Sequence, residues 1–300
     1  MKAIPPGSLI GVVAPAGPVA HAALAAVEPL YARWGYRVRL FPGCQADCGY
    51  LAGPDAVRLA DLHAALADDE VAAIHCLRGG YGAMRLLPDI DTRLLRRKPK
   101  LLIGYSDITA LHALWMQHGA PCLHAPMPAS DLIKQGREAD EQALFELLRN
   151  GLPAGAVLAP TLDAQGLRLP GCAQGLLVGG NLSLVAGLLG TPWAWPVQGA
   201  ILFLEEVAEE PYRVDRLLTQ LRLAGVLDAA AGFVLGSFSE AASPAALLHD
   251  MLGGLGKPVL GGWPAGHGTP NRPLPLGIRA RLEVSPAGEG QLKLLRRPVD

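Results

Sequence analysis

The sequence predicts an α/β fold built as an N-terminal three-layer domain with a mostly parallel sheet, followed by a smaller C-terminal α/β domain. Short runs that are apolar throughout alternate with segments of helical periodicity along the chain. Strands that are apolar on both faces belong in parallel sheets that helices cover on both sides. The chain has 300 residues, of which 50% are hydrophobic, so it can form two domains of ordinary size.

In the N-terminal half, predicted strands and helices alternate in chain order. The predicted strands are Leu9–Ala14, Tyr36–Leu40, Val71–Cys76, Leu101–Tyr105 and Cys122–His124. The predicted helices are Ala20–Trp34, Pro54–Leu66 and Asp107–His118. In such sheets the functional loops lie at the carboxyl ends of the strands, so polar residues at those positions are the first candidates for a site.

The C-terminal half repeats this alternation after a segment rich in proline, glycine and alanine, Gly151–Arg168. The predicted strands are Gly175–Val178, Ala200–Leu204, Gly232–Gly236 and Val259–Leu260, and the predicted helices are Asn181–Leu189, Tyr212–Leu223 and Pro244–Leu252. We therefore expect an N-terminal domain at 1–150, a linker at 151–169 and a C-terminal domain at 170–300.

Charge and hydropathy exclude several classes of protein. The formal net charge is −1, and the one basic cluster is Arg93–Lys100, so the chain has no electrostatic footprint for nucleic acid or an anionic membrane. Prolines interrupt the apolar N-terminus, which argues against a signal peptide, and glycines and prolines break the uncharged stretch Leu169–Leu204. We expect a soluble, cytoplasmic protein with no nucleic-acid or membrane partner.

The cysteine pattern agrees with that compartment. Five cysteines without the spacing of a disulfide framework favour a reducing environment. Cys44 and Cys48 form C-x3-C, which is half of a zinc site, but no second pair or His-x3-His follows at zinc-like spacing. We expect no metal site.

Ser106 is the first candidate catalytic residue. It stands in "GYSD" between a predicted strand end and a predicted helix, where its hydroxyl would point to the open end of the sheet. The backbone N–H of Asp107, at the helix start, could stabilise an oxyanion. Ile108 replaces the second glycine of the G-x-S-x-G pattern, and a serine or aspartate before a helix is also an ordinary N-cap.

A glycine-rich turn follows the predicted strand Val71–Cys76. In "CLRGGYG", Gly79, Gly80 and Gly82 allow the backbone to approach a ligand closely, and they could supply a second oxyanion donor. The spacing fits neither G-x-G-x-x-G nor a Walker loop, so phosphate binding is the weaker interpretation, and a plain glycine turn remains open.

An acid and a histidine complete the set. Glu205 ends an apolar strand, with Glu206 beside it, and His267 stands between two glycines in a proline-rich loop. Ser106, Glu205 and His267 supply a nucleophile, an orienting acid and a general base. They come from two predicted domains, so catalysis would require a cleft between the domains.

Several separated motifs, in order, carry a resemblance to the LD-carboxypeptidase family, the muramoyltetrapeptide carboxypeptidases. They are "VAPAGP" (Val13–Pro18), "GYLAGPDAVRLADLHAAL" (Gly49–Leu66), "RGGYGAMRLL" (Arg78–Leu87), "GYSDITALH" (Gly104–His112), "GGNLSL" (Gly179–Leu184), "LEEVAEEPYRVDRLLTQLRLAG" (Leu204–Gly225) and "GHGTPNRPLPLG" (Gly266–Gly277). The resemblance covers nearly the whole chain.

The resemblance implies a serine peptidase with a Ser–His–Glu triad, no metal and no organic cofactor. The family's nucleophile falls on Ser106, its histidine on His267 and its glutamate on Glu205, with Glu206 as the alternative. The oxyanion donors would be the backbone of Asp107 and of Gly80 or its neighbour. The implied substrate is a murein tetrapeptide, whose terminal D-alanine a cytoplasmic homodimer removes during cell-wall recycling.

Substrate contacts and rival functions stay open at this stage. Arg78 or Arg213 could bind the C-terminal carboxylate of the substrate, and Asn181 is a further candidate for substrate binding. One branch of the family resembles microcin-immunity peptidases, which cleave aminoacyl or peptidyl nucleotide analogues; Trp193 and Trp195 could then stack on a base. A non-catalytic peptide-binding protein and a metal hydrolase are the remaining alternatives.

Overall fold

The computed structural model of the protein describes residues 1–160 and 166–295. The chain forms two compact units. Unit one comprises Met1–Leu152 and Arg272–Pro275, and unit two comprises Pro153–Asn271 and the described residues from Leu276 onward. Each unit has its own sheet flanked by helices, and the predicted α/β class is confirmed.

Unit one alternates strands and helices. Its strands are β1 (Leu9–Val13), β2 (Arg37–Leu40), β3 (Val71–Cys76), β4 (Leu101–Gly104) and β5 (Cys122–His124). Its helices are α1 (His21–Leu24), α2 (Val27–Arg33), α3 (Asp55–Ala67), α4 (Thr92–Arg97), α5 (Thr109–Gln117) and α6 (Glu138–Asn150), with short 3-10 turns at Pro42–Gln45, Ala83–Asp89 and Ser106–Ile108 and a π turn at Pro128–Leu132.

Unit two has more strands than the sequence predicts. They are β6 (Val157–Leu158), β7 (Arg168–Leu169), β8 (Gly171–Asn181), β9 (Ile201–Val207), β10 (Gly232–Ser239), β11 (Val259–Leu260), β13 (Arg279–Val284) and β14 (Gly290–Leu294). The intervening strand β12 (Leu274–Leu276) belongs to the sheet of unit one. Its helices are α7 (Leu182–Gly187), α8 (Pro211–Leu223), α9 (Val226–Ala229) and α10 (Ala245–Gly253).

The first sheet has the order β12-β5-β4-β3-β1-β2, and its pairs from β5 to β2 are parallel. The chain runs from β1 to one edge, then crosses back to β3 and continues through β4 and β5. The strand order therefore reverses between β1 and β3. At such a reversal the loops that leave the carboxyl ends diverge and open a crevice, which is where α/β sheets bind ligands.

The second sheet is mixed, with the order β6-β14-β13-β8-β9-β10-β11-β7. Its centre, β8 to β11, is parallel, and antiparallel strands flank this centre on both sides. The segment 151–169, which the sequence indicates as a linker, contributes β6 and β7 to this sheet. Both strands are only two residues long, which is too short for a visible apolar pattern.

Apolar burial explains why these segments form strands. Every residue of β1 is buried, as are all four of β4, since helices cover both faces of the sheet. Each fully buried Leu, Ile or Val contributes about 1.5–3 kcal/mol. The predicted helix Ala20–Trp34 is instead two helices, α1 and α2, and the turn between them lets both Leu24 and Val27 face the core.

All five cysteines lie within the described residues, and all are free thiols. Cys44, Cys76 and Cys122 are buried, whereas Cys48 of unit one and Cys172 of unit two are exposed. Burial raises the pKa of Cys44 to about 12 and holds the pKa values of Cys76 and Cys122 well above their usual range. The buried thiols therefore stay protonated and unreactive at neutral pH.

In residues 1–160 and 166–295, every helix is too short or too polar to cross a membrane.

Candidate active site

Ser106 occupies a strained turn between β4 and α5. Tyr105 is still extended, and Ser106 itself has φ 62°, in the left-handed region that residues with a Cβ avoid. Such a conformation costs about 1–3 kcal/mol and persists only where the surrounding structure holds it. A serine on a sharp strand-to-helix turn presents its hydroxyl at the carboxyl edge of the sheet, which is the arrangement that exposes a nucleophile.

The carboxyl group of Asp107 fastens a neighbouring loop. It is buried, and its Oδ2 accepts a hydrogen bond of 2.7 Å from the backbone N–H of Ala83. Burial raises the pKa of Asp107 to about 6, against the opposing effects of the Ala83 N–H and the charge of Arg58. The side chain therefore ties the turn Ser106–Ile108 to Ala83, the residue directly after the segment Leu77–Gly82, which we call the glycine loop.

The glycine loop lies against Ser106 at Gly79. A Cβ at this position would stand 2.8 Å from Ser106 Cβ and 2.9 Å from Ser106 Oγ, which is closer than any real side chain could tolerate. The same atom would be 3.5 Å from the backbone nitrogen of Asp107. Backbone of the glycine loop thus reaches the serine hydroxyl because position 79 carries no side chain. Gly80, the predicted oxyanion donor, follows directly with φ 118°.

Hydrogen bonds to backbone carbonyls join this loop to the loop that follows β1. The N–H of Gly17 donates to the carbonyl of Gly79 over 3.0 Å. The buried guanidinium of Arg58 donates to the carbonyl of Gly82 over 3.0 Å and to that of Pro15. The loops at the carboxyl ends of β1, β3 and β4 therefore form one cluster at the crevice of the first sheet.

In unit two, a fully buried acid holds the predicted base. Glu205 lies on β9, and its Oε2 is 2.7 Å from Nδ1 and 3.2 Å from the backbone nitrogen of His267. A carboxylate only accepts hydrogen bonds, so Nδ1 carries the hydrogen. In the neutral imidazole Nε2 is then the nitrogen whose lone pair can take a proton, which is the tautomer that a general base requires.

The segment Ala265–Asn271, which we call the histidine loop, is held by two further side chains. Ser237 Oγ accepts from the N–H of Gly268 over 2.9 Å, and Oδ1 of the buried Asn271 accepts from the N–H of Gly266 over 3.1 Å. A Cβ at Gly266 would stand 2.6 Å from both Glu205 Oε2 and Ser237 Oγ. Sequence reasoning missed Ser237 and Asn271; a serine among the apolar residues of β10 was the available signal.

Glu206 makes different contacts from its neighbour. Its Oε2 accepts from the backbone N–H and the hydroxyl of Ser183, and its Oε1 accepts from Asn181 Nδ2 over 2.7 Å. Consecutive residues of a strand point to opposite faces, so Glu205 reaches the histidine loop while Glu206 reaches the start of α7. Asn181, a predicted substrate contact, is buried and caps α7 by accepting from Leu184 N.

The two predicted arginines differ in their surroundings. Arg213 lies on α8, is 52% exposed and forms an ion pair of 3.0 Å with Glu209. Arg78 belongs to the glycine loop of unit one and is half-buried. Unit one thus holds Ser106, Asp107, Gly80 and Arg78, and unit two holds the other predicted site residues. Across the described part of the chain, the His, Cys, Asp and Glu side chains form no group of three or more suited to a metal ion.

Comparison with known proteins places the chain in a family. A family model described as the LD-carboxypeptidase N-terminal domain matches residues 10–125, and one described as the LD-carboxypeptidase C-terminal domain matches residues 174–282. The chain belongs to the LD-carboxypeptidase family. The predicted membership of this family, and the prediction of a peptidase of its kind, are confirmed.

Relatives and solved structures agree with this assignment. A Bacillus subtilis (strain 168) protein named probable murein peptide carboxypeptidase is 36% identical over 297 residues, covering 95% of this chain and 91% of the relative. The crystal structure of muramoyltetrapeptide carboxypeptidase from Oxalobacter formigenes has a TM-score of 0.86 at 31% identity, covering 97% of this chain and 100% of that one.

The microcin C7 self immunity protein MccF also shares the fold. Its structure has a TM-score of 0.88 at 21% identity, with 100% of this chain and 99% of that chain covered. At this identity the likeness concerns the fold alone.

Proposed function

We propose that the protein is a serine LD-carboxypeptidase that releases the terminal D-alanine of murein tetrapeptides by hydrolysis at the L-centre of the diamino acid. The observation that carries the proposal is the 2.7 Å contact between His267 Nδ1 and the buried Glu205. It supplies an oriented base in a family whose members include proteins named for murein peptides. Ser106, on its strained turn, is the matching nucleophile.

In this mechanism the hydroxyl oxygen of Ser106 attacks the carbonyl carbon of the diamino acid, and its proton passes to Nε2 of His267. The imidazolium is stabilised by Glu205 and then protonates the leaving amine of D-alanine. Water attacks the acyl-enzyme with His267 again as the base, and the proton returns to Ser106. The tetrahedral oxyanion would accept hydrogen bonds from the backbone N–H groups of Asp107 and Gly80.

The proposed setting is the cytoplasm, where the enzyme would act as a homodimer in cell-wall recycling. Free thiols at all five cysteines support a reducing compartment. Fractionation of cells that produce the tagged protein, and light scattering of the purified protein, test these two points separately.

The decisive experiment is Ser106→Ala with a synthetic L,D-tetrapeptide. We expect kcat to fall by about 10⁴-fold or more, because the nucleophile of a triad carries most of the catalysis. Ser243→Ala, at an exposed serine, is the matched control and should keep wild-type turnover. Near wild-type activity of a correctly folded Ser106→Ala protein would refute the assignment.

The same assay tests two rivals. A non-catalytic binding protein would bind the tetrapeptide without releasing D-alanine. A microcin-immunity-type peptidase would hydrolyse an aminoacyl sulfamoyl adenosine faster than the tetrapeptide. The burial of Trp195, which is only 6% exposed, argues against its use as a stacking surface for a base.

A further inference from the structure

Arg78 carries a positive charge that no carboxylate among residues 1–160 and 166–295 neutralises. Its one hydrogen bond runs from Nη1 to the carbonyl of Pro18 over 3.0 Å, and its buried Nε has no partner in the described residues. Throughout the described chain, no acid stands within ion-pair distance of it. Withdrawing a charge from water without pairing it is costly, so a half-buried guanidinium in this state calls for an anion.

Arg58 and Arg137 of unit one show how this fold can neutralise a guanidinium that is withdrawn from water. Arg58 is paired with Asp55, and Arg137 lies 2.5 Å from Asp131 and 3.0 Å from Asp140. Each of these guanidinium groups has its counterion within the unit. Arg78 departs from that pattern, which indicates that its counterion comes from a ligand.

The backbone around Arg78 is built to admit the guanidinium. A Cβ at Gly17 would lie 3.4 Å from Arg78 Nε and 3.6 Å from its Cζ, and a Cβ at Gly80 would lie 3.9 Å from Nη2. Glycine on both flanks keeps side chains away from the group. Arg78 also directly precedes Gly79, whose missing side chain lets the loop touch Ser106.

The reaction sets how far an anion site can be from the oxyanion donors. In a peptide that loses its last residue, three bonds separate the scissile carbonyl carbon from the terminal carboxylate carbon, so these atoms are only about 4 Å apart. A guanidinium that binds the carboxylate must therefore be a near neighbour of the oxyanion donors. Arg78, which precedes Gly79 and Gly80 in the same loop, meets this requirement.

We propose that Arg78 binds the C-terminal carboxylate of the substrate and thereby restricts the enzyme to removing a single terminal residue. This inference rests on the proposed function. A planar guanidinium matches a carboxylate through two parallel hydrogen bonds, which gives both affinity and orientation. Arg213 is the weaker candidate for this contact, because its guanidinium already forms an ion pair with Glu209.

The test compares the L,D-tetrapeptide acid with its C-terminal carboxamide, which has the same shape but no charge. Calorimetry in the Ser106→Ala background keeps the peptide intact. We expect the acid to bind about 10- to 100-fold more tightly than the amide. Adding Arg78→Gln should bring the two dissociation constants within about twofold of each other by weakening the acid alone.

Arg85→Gln and Arg213→Gln test whether the preference for the acid depends on Arg78 itself. Arg85→Gln, at an exposed arginine paired with Asp55, is the matched control and should keep the acid preference. If Arg78→Gln keeps that preference, or Arg213→Gln abolishes it, the inference is overturned. Equal loss of acid and amide binding in Arg78→Gln would show a role in loop structure and would also overturn it.

Failure of the proposed function would look different, because the active wild-type protein would then release no D-alanine from the tetrapeptide acid. Release of D-alanine together with an unchanged acid preference in Arg78→Gln would refute the role of Arg78 alone.

Discussion

The candidate nucleophile of unit one and the candidate base of unit two are positioned by different means. In unit one, the backbone does most of the positioning: Ser106 is held at φ 62°, and Gly79 lets the glycine loop reach its hydroxyl. In unit two, side-chain hydrogen bonds orient the reactive group, since Glu205 and Ser237 hold the histidine loop. An added side chain at Gly79 should therefore impair the candidate nucleophile, and loss of the polar atoms of Glu205 or Ser237 should impair the candidate base.

This contrast suggests a division of roles. A nucleophile must stand at one fixed point, which a strained backbone provides at low cost in side-chain entropy. A base must also carry its hydrogen on the correct nitrogen, which only a polar partner can dictate. The variants below test the contrast in order of expected effect.

The largest effect is expected for Glu205→Gln. An amide can present its N–H to Nδ1 of His267 and favour the wrong tautomer, so kcat should fall by about 10³- to 10⁴-fold with little change in KM. Steady-state kinetics with the tetrapeptide measures this. A fall of less than tenfold would show that Glu205 does not orient the base.

Glu206→Gln is the matched control, since it changes the adjacent acid on the opposite face of β9. The variant removes the negative charge of the carboxylate that accepts hydrogen bonds from Ser183, so the free energy of unfolding should fall by about 1–3 kcal/mol. The value of kcat should change far less than it does in Glu205→Gln. If Glu206→Gln lowers kcat more than Glu205→Gln does, Glu206 rather than Glu205 orients His267.

Gly79→Ala adds one methyl group to unit one. That carbon would stand 2.8 Å from Ser106 Cβ, so the loop or the serine must move. We expect kcat to fall by about 10²-fold, because a displacement of this size spoils a near-attack geometry. Gly254→Ala, where φ is −83° and a Cβ meets no atom within 4 Å, controls for the general effect of replacing glycine by alanine. Equal activity of the two variants would contradict the close packing at Gly79.

Asp107→Asn should alter how stability depends on pH. The pKa of Asp107 is raised from 3.8 to about 6, so its stabilising contribution is complete below about pH 3.8 and is lost as the pH rises through about 6. Asparagine keeps an acceptor for Ala83 N–H without the charge. The variant should match the wild type near pH 4 and exceed it by up to about 3 kcal/mol at pH 8.

Denaturant titrations at pH 4, 6 and 8 measure that difference. A constant difference across this range would contradict a raised pKa for Asp107.

The smallest effect is expected for Ser237→Ala. It removes the acceptor for the N–H of Gly268 and should cost about 1 kcal/mol of stability, with kcat lowered by a few-fold as the histidine loop loosens. Ser239→Ala, two residues along β10, is the matched control. No change in either quantity would show that Ser237 does not help to position the loop.

Much of unit one could be predicted from sequence because burial on both faces makes parallel strands readable. Val71–Cys76 and Cys122–His124 have the predicted bounds, and β1 and β4 differ from prediction by one residue at their carboxyl ends. Ser106, Glu205 and His267 could be found because each follows a predicted strand or stands among glycines. Their assignment as a triad remains a proposal.

Other features were missed by sequence reasoning. The strands β13 and β14 are only partly buried, so their apolar positions alternate with polar ones and blend into the loops around them. Helix α6 was not predicted, although its apolar face packs Leu144, Phe145 and Leu148 into the core. The left-handed φ of Ser106 and the contact at Gly79 depend on tertiary packing, which no local pattern encodes.

The distribution of thiols offers a practical means to observe the whole enzyme at work. Cys48 and Cys172 are exposed, one on each unit, while Cys44, Cys76 and Cys122 are buried with raised pKa values. Maleimide dyes or spin labels should therefore attach at two sites of the unmodified protein. Fluorescence transfer or dipolar spectroscopy between those labels would then follow any movement of one unit against the other as substrate binds and product leaves.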